Sequence, residues 1–193
     1  METDVTTSPT DTYARFFKPL LDRAIGLVLA LATLPIVLVL LAMSWSAFGW
    51  PPVERVARIG KNGRRFNLYR VNTRKDHQTD LRGRPLRLSR WLRRTSLDEL
   101  PQLWNVALGH MSLVGPRPLN PIEAAQLDGT VGDRNLVRPG LTGPWQVEAR
   151  GDGRVLADNH HVDLGYLEDL SFRSDLAVLL ATLPALFRRR EQV

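Results

Sequence analysis

The chain has 193 residues, room for one modest domain plus a membrane element, and it has no cysteine, which excludes a disulfide framework and any cysteine-based metal site. Its formal net charge of +6 is unevenly spread: residues 55–94 hold 14 Lys/Arg against Asp76 and Asp80, a local +12, so the remainder sums to −6. A block this basic seeks polyanions (nucleic acid, anionic headgroups or phosphorylated substrates), with a merely solvated charged face as the plain alternative.

Residues 1–14, rich in Thr, Ser, Pro and Asp, read as a disordered arm. Residues 24–53 then run for 30 positions without a charge, too long and too apolar for an ordinary core helix. A cleavable signal peptide is not expected. The run exceeds an h-region, follows a polar arm and meets no clear small-residue cleavage site. Two features favour turning back over spanning. Pro35 removes a helix hydrogen bond and kinks the axis. Both flanks are also basic, with Arg15, Lys18 and Arg23 before the run and Arg55, Arg58 and Lys61 after it, so both ends prefer the cytoplasm. A re-entrant anchor over residues 15–53 satisfies both features, and a proline-kinked spanning helix is the alternative. Beside such a segment, lipid or lipid phosphate becomes the better partner for the basic block. No recognition motif or aromatic stacking pattern supports nucleic acid.

Further along, Asn62-Gly63 marks a turn, and the alternation of Phe66 and Leu68 after it signals a hairpin or edge strand. Residues 76–85 read as a loop, and residues 87–94 as a short amphipathic helix with arginines along one side. Pro101 is tolerated only in a first helical turn, so the helix through residues 102–108 is expected to begin near Asp98 and to end at Gly109. Residues 137–147, punctuated by proline and glycine, read as a loop, and residues 163–187 are helical in period. Trp45 and Trp50 suit the headgroup level, whereas Trp104 suits the core equally well. His160 and His161 point to different faces of a helix with no other metal-type spacing nearby, so a solvated or interfacial role is expected of them. No internal repeat and no linker mark a second soluble domain.

The chemistry concentrates between Arg93 and Pro118. Asp98 and Glu99 are adjacent acids shortly after Arg93 and Arg94, and Arg117 is held between Pro116 and Pro118. Ser96-Leu-Asp-Glu99 also fits a capping box, in which the acids merely favour a helix N-terminus. Pro101 conflicts with a helix nucleated that early. Two neighbouring acids make an economical Mg²⁺ site, and nearby arginines suit phosphoryl transfer. Two prolines lower the entropic cost of aiming the Arg117 guanidinium at phosphate, although a structural salt bridge in a rigid turn would read the same way.

These residues, with the apolar segment upstream, resemble the bacterial sugar transferase family, the polyprenyl-phosphate hexose-1-phosphate transferases or small monotopic phosphoglycosyl transferases, over residues 18–189. The resemblance implies that Asp98 is a nucleophile forming a phosphosugar intermediate. It implies that Glu99 positions Mg²⁺ (or Mn²⁺) or takes a proton, and that Arg93 and Arg117 meet phosphate. Arg70 stands where relatives carry lysine in a Tyr-Lys-Phe-Arg-Thr run. Here the run is Tyr69-Arg-Val-Asn-Thr73, so Asn72 replaces a basic residue. Family members break their anchor helix at a proline, which makes Pro35 the break. Leu34 replaces the usual serine, with the Thr33 hydroxyl beside it as a hydrogen-bond donor. Lys18 and Asp22 match a basic-then-aspartate pair at the start of the anchor. Arg55-Val-Ala-Arg58 loses the polar pair of an Arg-Gln-Glu-Arg pattern. Residues 138–143 and 146–150 resemble a downstream loop whose glycines let backbone approach a nucleotide.

The expectation is therefore an α+β, predominantly helical protein with an N-terminal re-entrant membrane helix and a small cytoplasmic catalytic domain over residues 54–193. It would sit at the bacterial inner membrane with that domain on the cytoplasmic face. The expected reaction moves a sugar-1-phosphate from a nucleotide (UDP) sugar donor to a polyprenyl (undecaprenyl) phosphate acceptor, initiating polysaccharide or glycan assembly. Membrane lipid is an expected partner, nucleic acid is not, and a homodimer is left open. The rival reading is a non-catalytic membrane adaptor that binds anionic lipid or a partner through its basic block. It needs the charge but not the acids.

Overall fold

The computed structural model describes residues 12–73, 87–126, 134–148 and 160–187. The loop expected at 76–85 lies outside them, as does nearly all of the arm expected at 1–14. The apolar run forms helix α1 (Lys18–Phe48), entered through a π-helical turn at Tyr13–Phe17. It ends where Gly49 takes φ 82°, a conformation that favours glycine, and donates its N–H to the Trp45 carbonyl at 2.8 Å. At 1.5 Å per residue its 31 residues extend about 46 Å. By length and composition, Tyr13–Phe48 suffices to cross a membrane. The helix continues through Pro35. The Thr33 hydroxyl does bond backbone, donating to the Leu29 carbonyl at 2.7 Å one turn back.

One stripe of α1 is buried along its whole length: Lys18, Asp22, Gly26, Ala30, Val37, Leu40, Ser44 and Phe48, at spacings of three, four and seven. Other positions such as Ile25, Val28, Leu38, Val39 and Trp45 are exposed. At the start of the stripe Lys18 Nζ lies 2.5 Å from Asp175 Oδ2 and 3.7 Å from Asp22 Oδ2, all three buried. Tyr13 and Tyr166 donate their hydroxyls to Asp175, and the Ser112 hydroxyl and Leu113 N–H donate to Asp22. Near the far end the Ser44 hydroxyl donates to the Asn72 carbonyl at 2.7 Å. Both ends of α1 are therefore docked on the same body.

Strands β1 (Val53–Ile59) and β2 (Arg65–Val71) pair antiparallel from Val53↔Val71 to Ile59↔Arg65. The hairpin turn falls at Asn62 (φ 57°) and Gly63 (φ 70°), as the sequence indicated. Next come α2 (Arg87–Thr95), a 3₁₀ turn at Leu97–Glu99 and α3 (Gln102–Ala107). This corrects the expectation of one helix from Asp98. Pro101 caps α3, and the acids stand on a separate turn before it. Gly109 (φ 76°) ends the segment as expected. The Asn105 amide clips α3 to β2, accepting from the Tyr69 N–H and donating to the Asn67 carbonyl. Gly26 admits the close approach of α1, since a Cβ there would meet Val106 Cγ1 at 2.7 Å.

Strand β3 (Ser112–Val114) pairs in parallel with β4 (Gly140–Thr142), with α4 (Pro121–Gln126) between them and α5 (Pro144–Glu148) following. The loop expected at 137–147 is thus a strand and a short helix. Three-residue strands leave no alternation to read. Their closeness instead depends on Gly140, where a Cβ would collide with the Gly115 backbone. The helical tail is two helices, α6 (His160–Glu168) and α7 (Phe172–Phe187), the second begun by reciprocal Ser171 and Ser174 side-chain bonds. Leu68, Val106, Met111, Leu113, Val114, Tyr166 and Leu170 form the central core. The protein is mostly helical, with two two-stranded sheets among the described residues.

Lys18→Met would leave Asp22 and Asp175 buried without their cation, a loss of about 3–5 kcal/mol. Thermal denaturation in detergent should show a correspondingly lower midpoint. A midpoint equal to the parent's would mean that the two carboxylates do not need Lys18.

Candidate active site

The turn carrying Asp98 and Glu99 is fixed by apolar neighbours. Leu97 and Leu100, three apart and so on one side of a 3₁₀ turn, pack with Leu88 and Leu41 against buried Leu40, Val71 and Leu92. Leu40 and Leu41 belong to α1, so the anchor helix grips the turn from below. Ser96 enters it in the left-handed conformation (φ 56°, ψ 19°) rather than the extended one an N-cap adopts, so the capping-box geometry is not formed there. Asp98 is only 4% exposed and Glu99 half-buried.

Arg93 lies on the last turn of α2. Its Nη2 donates to Ser89 Oγ at 2.6 Å and to the Thr73 carbonyl at 3.3 Å, and Ser89 Oγ also reaches Thr73. The end of β2 thereby holds Arg93 on the same side of the fold as the acid turn, which packs on β2. Asn72 holds backbone in place. Its side-chain amide donates to the Pro51 carbonyl and its backbone N–H to the Pro52 carbonyl.

Arg117 is built from a different set of elements. Its backbone N–H faces Asp163 Oδ2 at 3.3 Å, and its guanidinium lies 4.6 Å above the Trp145 ring. Asp163 is buried with Arg134 at 2.5 Å, and Arg134 also donates to the Arg117 carbonyl. Burial pushes the Asp163 carboxyl up and the Arg134 guanidinium down, each opposed by the other's charge. Among the described residues no carboxylate forms a salt bridge with the Arg117 side chain.

Arg70 pairs with Glu54 across the hairpin at 2.7 Å. Arg58, on the same face of β1 as Glu54, lies among these charges. Burial lowers its pKa, with Glu123 opposing and Arg117 and Arg70 adding to the shift. Three guanidiniums, Arg58, Arg70 and Arg117, are thus within electrostatic reach of one another, with Glu54 and Glu123 as the nearby acids.

Sequence reasoning gave no site role to Arg58, Arg134, Trp145 or Asp163. Arg58 was within its reach, because strand register puts it with Glu54 and Arg70. The Arg134–Asp163 pair joins residues 29 apart and left no local signal. The side chains of His160 and His161 lie outside those described. Among the described residues no group of three or more His, Cys, Asp or Glu could hold a metal. The adjacent oxygen donors of Asp98 and Glu99 still fit Mg²⁺, which commonly takes one or two carboxylates and completes its shell with phosphate and water.

A model of the bacterial sugar transferase family matches residues 13–189. The chain is 33% identical to a UDP-galactose-lipid carrier transferase of Erwinia amylovora over 91% of this chain and 41% of that protein. It is 30% identical to the undecaprenyl-phosphate galactose phosphotransferase of Salmonella typhimurium, over 91% and 41% respectively. It is also 30% identical to the exopolysaccharide production protein ExoY of Sinorhizobium fredii, over 85% of this chain and 82% of that protein. The chain therefore spans about two fifths of the first two relatives and most of the third. With the family's pattern running through nearly every described element, this chain belongs to the bacterial sugar transferases.

Proposed function

We propose that the protein transfers a sugar-1-phosphate from a UDP-sugar to a polyprenyl phosphate in two displacements at Asp98. In the first, an Asp98 carboxylate oxygen bonds to the sugar-linked phosphorus. The bond from that phosphorus to the bridging oxygen breaks, and the nucleoside monophosphate leaves with the electron pair. In the second, an oxygen of the acceptor phosphate attacks the same phosphorus and Asp98 departs as carboxylate, giving a lipid diphosphate sugar. Splitting the exchange lets one buried carboxylate serve as both nucleophile and leaving group. Arg93, Arg70 and Arg117 would hold phosphate oxygens through both steps, with Trp145 and Asp163 keeping Arg117 in place. Mg²⁺ held by Asp98 and Glu99 would supply charge neutralisation at the diphosphate.

The observation that carries this reading is the buried Asp98 beside Glu99, on a turn that packs against the long apolar helix α1 and follows directly on the helix that carries Arg93. The activities for which the Erwinia and Salmonella relatives are named support the reaction type. A purely lipid-binding adaptor gains nothing from burying an acid there.

Incubation with UDP-sugar alone should leave a phosphosugar on the peptide containing Asp98, read by mass spectrometry. Asp98→Asn should lower turnover by roughly three orders of magnitude, the scale of losing a covalent catalyst. EDTA should suppress the adduct and Mg²⁺ or Mn²⁺ restore it. An adduct on another residue would falsify the assignment of Asp98.

The same reading places the catalytic domain, residues 54–193, on the cytoplasmic face of the inner membrane with α1 re-entering at Pro35. Docking of Lys18 on Asp175 and of Ser44 on the Asn72 carbonyl keeps both ends of α1 on the domain, which that topology requires. Reporters at Thr6 and Val193 should both be cytoplasmic. Pro35→Ala restores a helix hydrogen bond, worth up to ~3 kcal/mol, and should shift the N-terminal arm toward an impermeant label outside. An arm already labelled in the unmodified protein would sink the re-entrant topology and leave the transfer chemistry standing.

A further inference from the structure

A 630 Å³ cavity lies between the hairpin turn, the second turn of α1 and the end of α3. None of Arg70, Arg93, Asp98, Glu99 and Arg117 lines it, and the length of α3 separates it from the acid turn. Its wall holds Arg23, Lys61, Arg64, Arg65 and Arg138, with no Asp or Glu. Among the described residues no carboxylate lies within salt-bridge distance of these five cations. Five positive groups around one concavity repel one another until an anion enters, and a low-dielectric wall concentrates their field.

Two features make this more than a solvated basic face. Arg23 is laid against Gly109, where a Cβ would overlap its guanidinium and where φ is +76°. Arg138 is half-buried, and its pKa is lowered by burial and then by the charge on Arg23, with buried Asp22 opposing. The position of Arg23 on α1 indicates what kind of anion fits. It is three residues before buried Gly26 and four before exposed Leu27, on the border between the packed stripe and the apolar outer surface. Leu108, 56% exposed, continues that apolar border inside the cavity wall.

We propose that this cavity is a lipid-phosphate site, taking the phosphate of a membrane lipid with a net anionic headgroup whose hydrocarbon chain lies along the exposed side of α1. Arg23, Arg64 and Arg65 contact the phosphate oxygens, while Leu27 and Leu108 meet the first methylenes. The inference rests on membrane association of α1 and not on the transfer chemistry at Asp98. A phospholipid and a polyprenyl phosphate share the recognised group, so the test separates them.

The full chain in phosphatidylcholine nanodiscs is exposed to photoactivatable phosphatidylglycerol, photoactivatable polyprenyl phosphate or photoactivatable phosphatidylcholine, and crosslinks are mapped. One or both anionic probes should label peptides spanning residues 61–69 or 108–110, and the stronger identifies the source. Arg64→Gln/Arg65→Gln should weaken that labelling about 30-fold, the product of two basic contacts near a lipid surface. Arg64→Lys/Arg65→Lys should retain most of it, which guards against a folding artefact. The phosphosugar adduct at Asp98 should form in both variants, so failure here is distinguishable from failure of the transferase reading. Equal labelling by phosphatidylcholine, indifference to the glutamine variant, or full displacement by inorganic phosphate would each overturn the proposal.

Discussion

Burial of Lys18 between Asp22 and Asp175 is the constraint from which the rest of the arrangement follows. Removing three charges from water costs several kcal/mol per ion, so such a cluster survives only if its remaining lone pairs are satisfied. Here one cation faces two acids, and the deficit is met by donors: Tyr13 and Tyr166 to Asp175, and Ser112 with the Leu113 N–H to Asp22. Burial, reinforced by Asp175, pushes the Tyr166 hydroxyl's pKa upward, so it remains a donor. The cluster draws the start of α1, strand β3, α6 and α7 to one point.

In a helix as apolar as α1 few contacts set its rotation: this cluster, the close approach of Gly26 to Val106 and the Ser44 bond to the Asn72 carbonyl. Leucine packing is non-directional, and one residue of slippage turns a helix by about 100°. These contacts fix that angle, and the same register then carries Leu40 onto Val71 and Leu92. Leu97 and Leu100 close over that contact and hold Asp98 in place. Polar bonds thus set register near both ends of α1, while apolar contacts carry it to the acid turn. The anchor shapes the site as well as tethering it.

Local constraints were legible in the sequence and long-range ones were not. Asn62-Gly63 announced the hairpin because few other residues accept positive φ twice running. The extent of α1 followed from composition, and the acid dyad with Arg93 and Arg117 from a motif. The capping-box reading of Ser96 depended on a backbone angle that sequence does not display, and the left-handed Ser96 removes it. The parallel β3–β4 pair escaped notice because each strand has three residues and the pairing depends on Gly140 meeting Gly115. The Arg134–Asp163 bond is equally silent, since either residue alone looks like ordinary surface charge.

Arginine at position 70 makes electrostatic sense in this setting. Its neighbours Arg58 and Arg117 are also cationic, and Arg58 shows what burial among like charges does by holding its proton less tightly than usual. A lysine starts from a lower pKa and yields its proton more readily under the same pressure, whereas a guanidinium stays charged. Glu54, bonded to Arg70 Nε at 2.7 Å, offsets part of the repulsion. Under the transfer reading proposed above, charges gathered in advance of a phosphate would need no reorganisation when it arrives. The hairpin supplies two of those charges and the proline-held loop the third. That division explains why two segments far apart in sequence must be stitched together by the Ile59–Leu119 bridge.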